Sequence, residues 1–261
     1  MKKGIMVVKV GTAILSKGSG RLDSGRIASL TAQICKLKKL GQKIILVSSG
    51  AIGAGVEAIG ISKRPSNLNK LQACAAIGQG KLMRLYEQNF SKQGKHAAQI
   101  LLTREDFASK KRVLMAKHTI MSLLNDFNAV PIINENDTIA IEEIKFGDND
   151  KLSAMVARFV GAHTLIILTD VDGLYEAKGK KAISIVKHIN RDIENMARPS
   201  KSKLGRGGMV SKIQAAKIAT RSGIKCIIAN GRTKDILLKL HKKQALGTTF
   251  LAARSRKKGI R

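Results

Sequence analysis

Six short apolar runs divide this chain, and each gives way within a residue or two to glycine or to a polar side chain. They are Ile5-Met-Val-Val8, Ile44-Ile-Leu-Val47, Gln99-Ile-Leu-Leu102, Val130–Ile133, Leu165-Ile-Ile-Leu168 and Cys226-Ile-Ile-Ala229. Runs this short and this free of polar alternation read as strands buried on both faces. The segments between them carry helical spacing: Ile27, Leu30, Ile34 and Leu37 within 23–40, a stretch around 68–90, and Val113, Ala116, Ile120 and Leu123 within 111–125. Further helices are predicted over 150–160 and 209–222. Asp23 or Ser24 can cap the first helix, and Gly41 and Gly223 stand where helices should stop. A short strand near 248–252 closes the pattern. Such alternation requires an α/β fold with a mostly parallel sheet covered on both faces. No Pro/Ser-rich linker and no internal repeat interrupts it, so residues 1–253 read as one domain. Residues 254–261 hold five Lys/Arg and no acid, and read as a frayed basic tail.

Parallel sheets bind ligands beyond the carboxyl ends of their strands. Polar clusters stand at four such ends: Lys9 to Thr12, Ser48 to Gly53, Asn134 to Asp137, and Thr169-Asp170. The alternation of Ile139, Ile141, Ile144 and Phe146 predicts a small hairpin leading to Gly147-Asp-Asn-Asp150. Residues 135 to 176 carry nine of the 18 acidic residues, although the formal net charge is +30. Solubility does not need acids gathered like that in so basic a chain. A site that orients ammonium groups or a metal ion does.

The basic excess has two readings, an anionic-ligand or nucleic-acid footprint and a Lys-rich solvated surface. Its residues are scattered from Lys2 to Arg261 without a dominant block, and the chain has no Trp, two Tyr and six Phe. Aromatic platforms for stacking bases are therefore scarce, and the solvated surface is the better account. Cys35, Cys74 and Cys226 form no CxxC pair and no Cys/His metal spacing. They read as reduced, buried thiols of a cytoplasmic protein. The start, Met-Lys-Lys-Gly, meets charge too soon for a signal peptide, and no apolar run reaches membrane-spanning length.

Three glycine-bearing turns, 9–12, 49–55 and 205–212, could cradle phosphate with backbone N–H groups. Each could equally just end a strand. No GxxxxGK[ST] loop, no GxGxxG after the first strand, no HRD…DFG set and no GxSxG elbow is present. Lys212 falls in the first turn of a glycine-initiated helix, where the dipole disfavours a cation unless an anion is bound; otherwise it points to water. Asp148 with Asp150, or Asp137, could hold Mg²⁺, fix lysines, or cap a helix. The five His have no Ser or Cys partner in view.

Taken together, these segments resemble the amino-acid kinase family along nearly the whole chain. The resemblance is carried by Val8-Lys9-Val-Gly-Thr12, Ser48-Ser-Gly-Ala-Ile52, Ala75-Ala-Ile-Gly-Gln79, Gln99–Thr103, Pro131–Asp137, Phe146-Gly-Asp-Asn-Asp150, Leu168-Thr-Asp-Val-Asp-Gly-Leu-Tyr175 and Gly207-Gly-Met209 through Lys212. It implies a three-layer α/β/α sandwich. Asn-Glu-Asn-Asp paired with Phe-Gly-Asp-Asn-Asp is nearest to the branch that phosphorylates the γ-carboxylate of L-glutamate with ATP and Mg²⁺, the first step of proline synthesis. The resemblance implies that Lys9, Lys212 and Asp150 are catalytic, with Asp150 organising the lysines. It implies that Ser49, Gly50, Ala51, Asn134, Asp137 and Asn149 hold glutamate. Asn149 and the Gly50 and Ala51 N–H groups would be the donors, and Asp137 the acceptor for the ammonium. Lys9, Gly11, Thr169, Asp170, Arg206, Gly207, Gly208, Met209, Val210, Ser211 and Lys212 would meet the nucleotide, with Mg²⁺ held mainly by its phosphates.

The same resemblance implies a homo-oligomer, proline as feedback inhibitor, and glutamyl-phosphate (glutamate-5-semialdehyde) reductase as a downstream partner. Two departures stand out. Many relatives carry a C-terminal RNA-modification-like domain of the PUA type for which this chain has no room. The phosphate turn reads Gly205-Arg-Gly-Gly-Met209 where the family has Gly-Thr-Gly-Gly-Met, so Arg206 brings a charge and removes a hydroxyl. Two alternatives stay open: a sister kinase acting on another carboxylate, carbamate or UMP, and a basic RNA-binding protein on a degenerate kinase fold.

Overall fold

In a computed structural model, residues 4–17, 21–140, 149–176, 181–197 and 208–253 are described. The six apolar runs become strands β1 (Ile5–Val10), β2 (Lys43–Ser48), β3 (Ala97–Leu102), β4 (Val130–Glu135), β5 (Thr164–Thr169) and β7 (Lys225–Asn230). All six are parallel in the order β3-β4-β2-β1-β5-β7. Two short strands extend the sheet past β7: β8 (Thr248–Phe250), antiparallel to β7, and β6 (Ile185–Val186) at the edge, parallel to β8.

Alternate residues of each strand point to opposite faces, and this divides the core in two. Met6, Val8, Val10, Ile44, Leu46, Ile132, Ile166 and Leu168 pack with α1 (Thr12–Leu15), α2 (Ser24–Lys39), α4 (Leu68–Ser91) and α9 (Ile236–His241). Val7, Ile45, Val47, Ile133, Leu165, Ile167 and Ile228 pack with α5 (Lys110–Asn125), α6 (Asn149–Val160) and α8 (Met209–Arg221). The result is a three-layer α/β/α sandwich. Asp23 caps α2 by accepting from the Arg26 N–H, and the stripe Ile27, Leu30, Ile34 and Leu37 is buried as its spacing predicts.

The structure departs from the sequence reading where helix propensity is poor. Residues 51–59, read as part of a glycine turn, form helix α3 (Ala51–Ile59). Glycine disfavours a helix, so tertiary packing stabilises this one. A β-carbon on Gly55 would stand 1.8 Å from the Cys74 carbonyl oxygen of α4, and one on Gly78 would stand 1.9 Å from the Ala51 carbonyl oxygen. The two helices cross backbone to backbone, a contact only glycine permits. The short elements α1, β6, α7 (Arg191–Met196) and α9 also went unread, each too brief for a periodic signal. Most of the expected 139–146 hairpin, with Gly147 and Asp148, lies outside the described residues, as do Arg206, Gly207 and the 254–261 tail.

Candidate active site

The in-register parallel strands bring four carboxyl ends to one rim. Val10 of β1 lies opposite Ser48 of β2 and Leu168 of β5, and Val47 lies opposite Ile133 of β4. Lys9 is on the α6/α8 face of β1, because its neighbours Val8 and Val10 point into the other layer. It is 5 % exposed, a position that a lysine occupies only with a partner.

That partner is Asp150, in the first turn of α6 and fully buried. Its Oδ1 lies 2.5 Å from Lys9 Nζ, and its Oδ2 lies 3.1 Å from Lys212 Nζ and accepts from Ser211 Oγ at 2.8 Å. Lys212 and Ser211 come from the first turn of α8, where the single hydrogen of the Ser211 hydroxyl also has the Gly208 carbonyl, 2.9 Å away, as an alternative acceptor. Two cations from opposite sides thus share one buried carboxylate. Burial alone would raise the Asp150 carboxyl, but the Lys9 and Lys212 ammonium groups and the Ser211 hydroxyl outweigh it and hold it down to about 2. The trio keeps a net positive charge aimed at the rim.

Beside the trio lies a solvent-open cavity. Ser49, Gly50, Ala51, Asn134, Asp137 and Asn149, the six residues expected to hold substrate, all line it. Gly50 sets the geometry of the wall. Its φ of +107° turns the chain sharply from β2 into α3, a conformation that costs glycine nothing. The start of α3 is thereby presented to the cavity.

Three side chains hold the wall by hydrogen bonds. Asn149 Nδ2 donates to the Ser48 carbonyl at 2.5 Å and to Asn134 Oδ1 at 2.8 Å, with Ser49 Oγ 3.2 Å away. An amide nitrogen has two hydrogens, so both are consumed by the protein. The expectation that Asn149 donates to substrate is therefore corrected: it has an acceptor, Oδ1, left for the cavity. Asp150 is likewise not placed as a metal ligand, since both its oxygens are engaged.

The nucleotide residues fall elsewhere on the rim. Thr169 is buried at the end of β5, and its hydroxyl donates to Asp170 Oδ1 at 3.2 Å. Gly11 follows β1, and a β-carbon there would stand 3.5 Å from Lys9 Nζ. Gly208, Met209, Val210 and Ser211 lead into Lys212. None of these lines the cavity; the Lys9–Asp150–Lys212 trio joins the two regions. Sequence reasoning did not assign Thr12, Ile52, Gly53, Arg64 and Glu135 to the cavity wall. Thr12 and Glu135 sit inside quoted motifs and were legible there. Arg64, in the α3–α4 connection, gave no signal, because it is one of many scattered basic residues.

Residues 4–230 match the model of the amino acid kinase family. The chain belongs to the amino acid kinase family. A glutamate 5-kinase of Caldanaerobacter subterraneus subsp. tengcongensis is 47 % identical over 94 % of this chain and 67 % of its own length. A glutamate 5-kinase of Clostridium acetobutylicum is 46 % identical over 94 % of both chains. The match thus spans nearly all of the Clostridium acetobutylicum enzyme and leaves about a third of the Caldanaerobacter one outside it. The solved structure of carbamate kinase from Giardia lamblia bound to AMP-PNP superimposes with a TM-score of 0.61 over 96 % of this chain and 99 % of that one, at 18 % identity. At that identity the likeness establishes the shared sandwich alone.

Proposed function

We propose that this amino acid kinase transfers the γ-phosphoryl group of ATP to the γ-carboxylate of L-glutamate, giving L-glutamyl 5-phosphate for proline synthesis. The observation that carries the reading is Asp150 buried between Lys9 and Lys212 beside a cavity lined by the six expected substrate residues. An in-line transfer gathers negative charge on the equatorial and leaving oxygens, and enzymes meet it with positioned positive charge. Lys9 and Lys212 supply that charge from two elements, and Asp150 keeps both ammonium groups from drifting. The attacking carboxylate is already ionised at pH 7, so no residue need act as general base. Identity of 46–47 % to glutamate 5-kinases favours glutamate over the carbamate and UMP alternatives.

Among the described residues no group of three carboxylate, imidazole or thiol side chains could hold a metal. Mg²⁺ in this reading arrives on the ATP phosphates, and no step is routed through it. The absence of any long apolar helix among the described residues fits a cytoplasmic enzyme. The RNA-binding alternative loses its footing, because a degenerate site would not retain a buried, fully paired ion trio. Among the described residues strand β3 pairs only with β4, and Ile100 and Leu101 on it are half-buried, an edge that suits a second copy.

The test is ADP release with glutamate, aspartate, carbamate, N-acetylglutamate and UMP as acceptors. Glutamate alone should give turnover. The same assay with added proline should show inhibition that glutamate relieves, since both share the α-amino and α-carboxylate groups. A chain ended at Ala253 should behave as the full one. Turnover with a different acceptor would overturn the assignment.

A further inference from the structure

We propose that Gln79 is a positioning residue that anchors Asn134 and, through it, the Asn149 amide beside the substrate. This inference rests on the glutamate reading and names a specificity device inside it. Four amides stand in a row from the sheet edge to the cavity: Gln99 on β3, Gln79 on α4, Asn134 on β4 and Asn149 on α6. Asn149 Nδ2 reaches Asn134 Oδ1 at 2.8 Å, Asn134 Nδ2 reaches Gln79 Oε1 at 2.9 Å, and Gln79 Nε2 reaches Gln99 Oε1 at 3.4 Å.

An isolated amide can turn over and exchange donor for acceptor, but this row cannot. The Glu135 backbone N–H, which can only donate, meets Asn134 Oδ1 at 2.9 Å. The Ser48 backbone carbonyl, which can only accept, meets Asn149 Nδ2 at 2.5 Å. These two backbone groups fix the direction of the whole row. Asn134 must turn its nitrogen outward, and a group with an acceptor must stand there to receive it. Gln79 is that group. With its oxygen in place, Asn134 keeps Oδ1 on Asn149, Asn149 keeps both hydrogens on the protein, and Asn149 Oδ1 is left for the cavity.

The consequence is a cavity that reads an ammonium group. Asn149 and Asp137 both line the cavity, and in this reading the Asn149 Oδ1 and the Asp137 carboxylate meet the substrate's ammonium as acceptors. A ligand with the same two carboxylates and no ammonium gains nothing from either. Gln79 does not line the cavity, so its effect passes through Asn134.

The experiment compares three constants in Gln79 variants: KM for glutamate, KM for ATP and the inhibition constant of glutarate, which has both carboxylates but no ammonium. Gln79→Leu removes the acceptor and should raise the glutamate KM roughly tenfold, the factor carried by one hydrogen bond to a charged group. The ATP KM and the glutarate constant should stay within about twofold. Gln79→Glu keeps an oxygen toward Asn134 and should restore most of the loss. Gln79→Lys turns a donor toward a donor and should be the worst of the three. If Gln79→Leu does not fold, the Glu and Lys variants make the same comparison. A glutamate KM that stays within twofold of wild type, or a glutarate constant that rises in parallel with it, would overturn the proposal. Failure of the glutamate reading itself shows separately, as no ADP release by the wild type.

Discussion

Replacing Asp150 with asparagine tests the centre of the site with almost no change in shape. The carboxylate is 1 % exposed and holds ammonium groups that are themselves 6 % and 12 % exposed. Asparagine keeps one oxygen, which can serve one lysine, and turns an N–H₂ toward the other. Removing one partner of a buried ion pair costs about 3–5 kcal/mol, because the remaining charge is left in a poor solvent. The surviving oxygen puts Asp150→Asn near the lower end, about 3 kcal/mol, which for a chain of this size lowers the melting temperature by roughly 6–12 °C. Saturating MgATP should raise both melting temperatures by a similar amount, since it binds only the folded state. Turnover falls further than binding. With only one lysine anchored, kcat should drop roughly 10²–10³-fold while the ATP KM changes little. Differential scanning fluorimetry with and without MgATP, beside steady-state ADP release, reads both effects. A variant that melts within 2 °C of wild type and turns over within threefold would show that the trio neither stabilises nor catalyses (thresholds set at about the noise expected for a neutral surface change).

Lys212→Ala should lower kcat by the same roughly 10²–10³-fold, and Lys212→Arg should recover only part, since a planar fork replaces a compact charge that fits Asp150 Oδ2. Asp137→Asn should raise the glutamate KM and spare that of ATP; equal loss of both would remove Asp137 from the substrate wall. Gly78→Ala places a methyl group 1.9 Å from the Ala51 carbonyl oxygen, so α3 and α4 must separate at a cost of about 1–3 kcal/mol or more. Because Ala51 lines the cavity, the glutamate KM should rise along with the fall in melting temperature, and a change in stability alone would refute the link. Asp150 titrates near 2 when folded and near 3.8 when unfolded, so between those values the unfolded chain binds the extra proton. Its contribution is complete above about pH 4 and lost as pH falls toward 2, so acid should erode the wild-type melting temperature more than that of Asp150→Asn.

The sheet, its strand order apart, was legible from apolar runs of four residues, and so was its functional edge. Each run ends in polar residues, and parallel strands must end on the same side. Asn134, Asp137, Asn149, Lys9 and Lys212 were singled out by the resemblance of their motifs to the amino acid kinase family, since each residue type alone also had a bland reading. The sequence also decided where glycine is required: Gly50 is the residue that φ = +107° demands. Other facts depended on distance across the fold. Helix α3 has the local propensity of a loop and exists because Gly55 and Gly78 let its backbone touch α4. Lys9 and Lys212 are 203 positions apart, and only the crossing of β1, α6 and α8 brings both onto one carboxylate. Asn149 reads as a donor from its side chain alone. It becomes an acceptor toward the cavity because Ser48 and Asn134 take its hydrogens first. A sequence lists which groups are available, whereas hydrogen bonds and ion pairs act over about 3 Å; only the folded chain determines which of those groups are already satisfied.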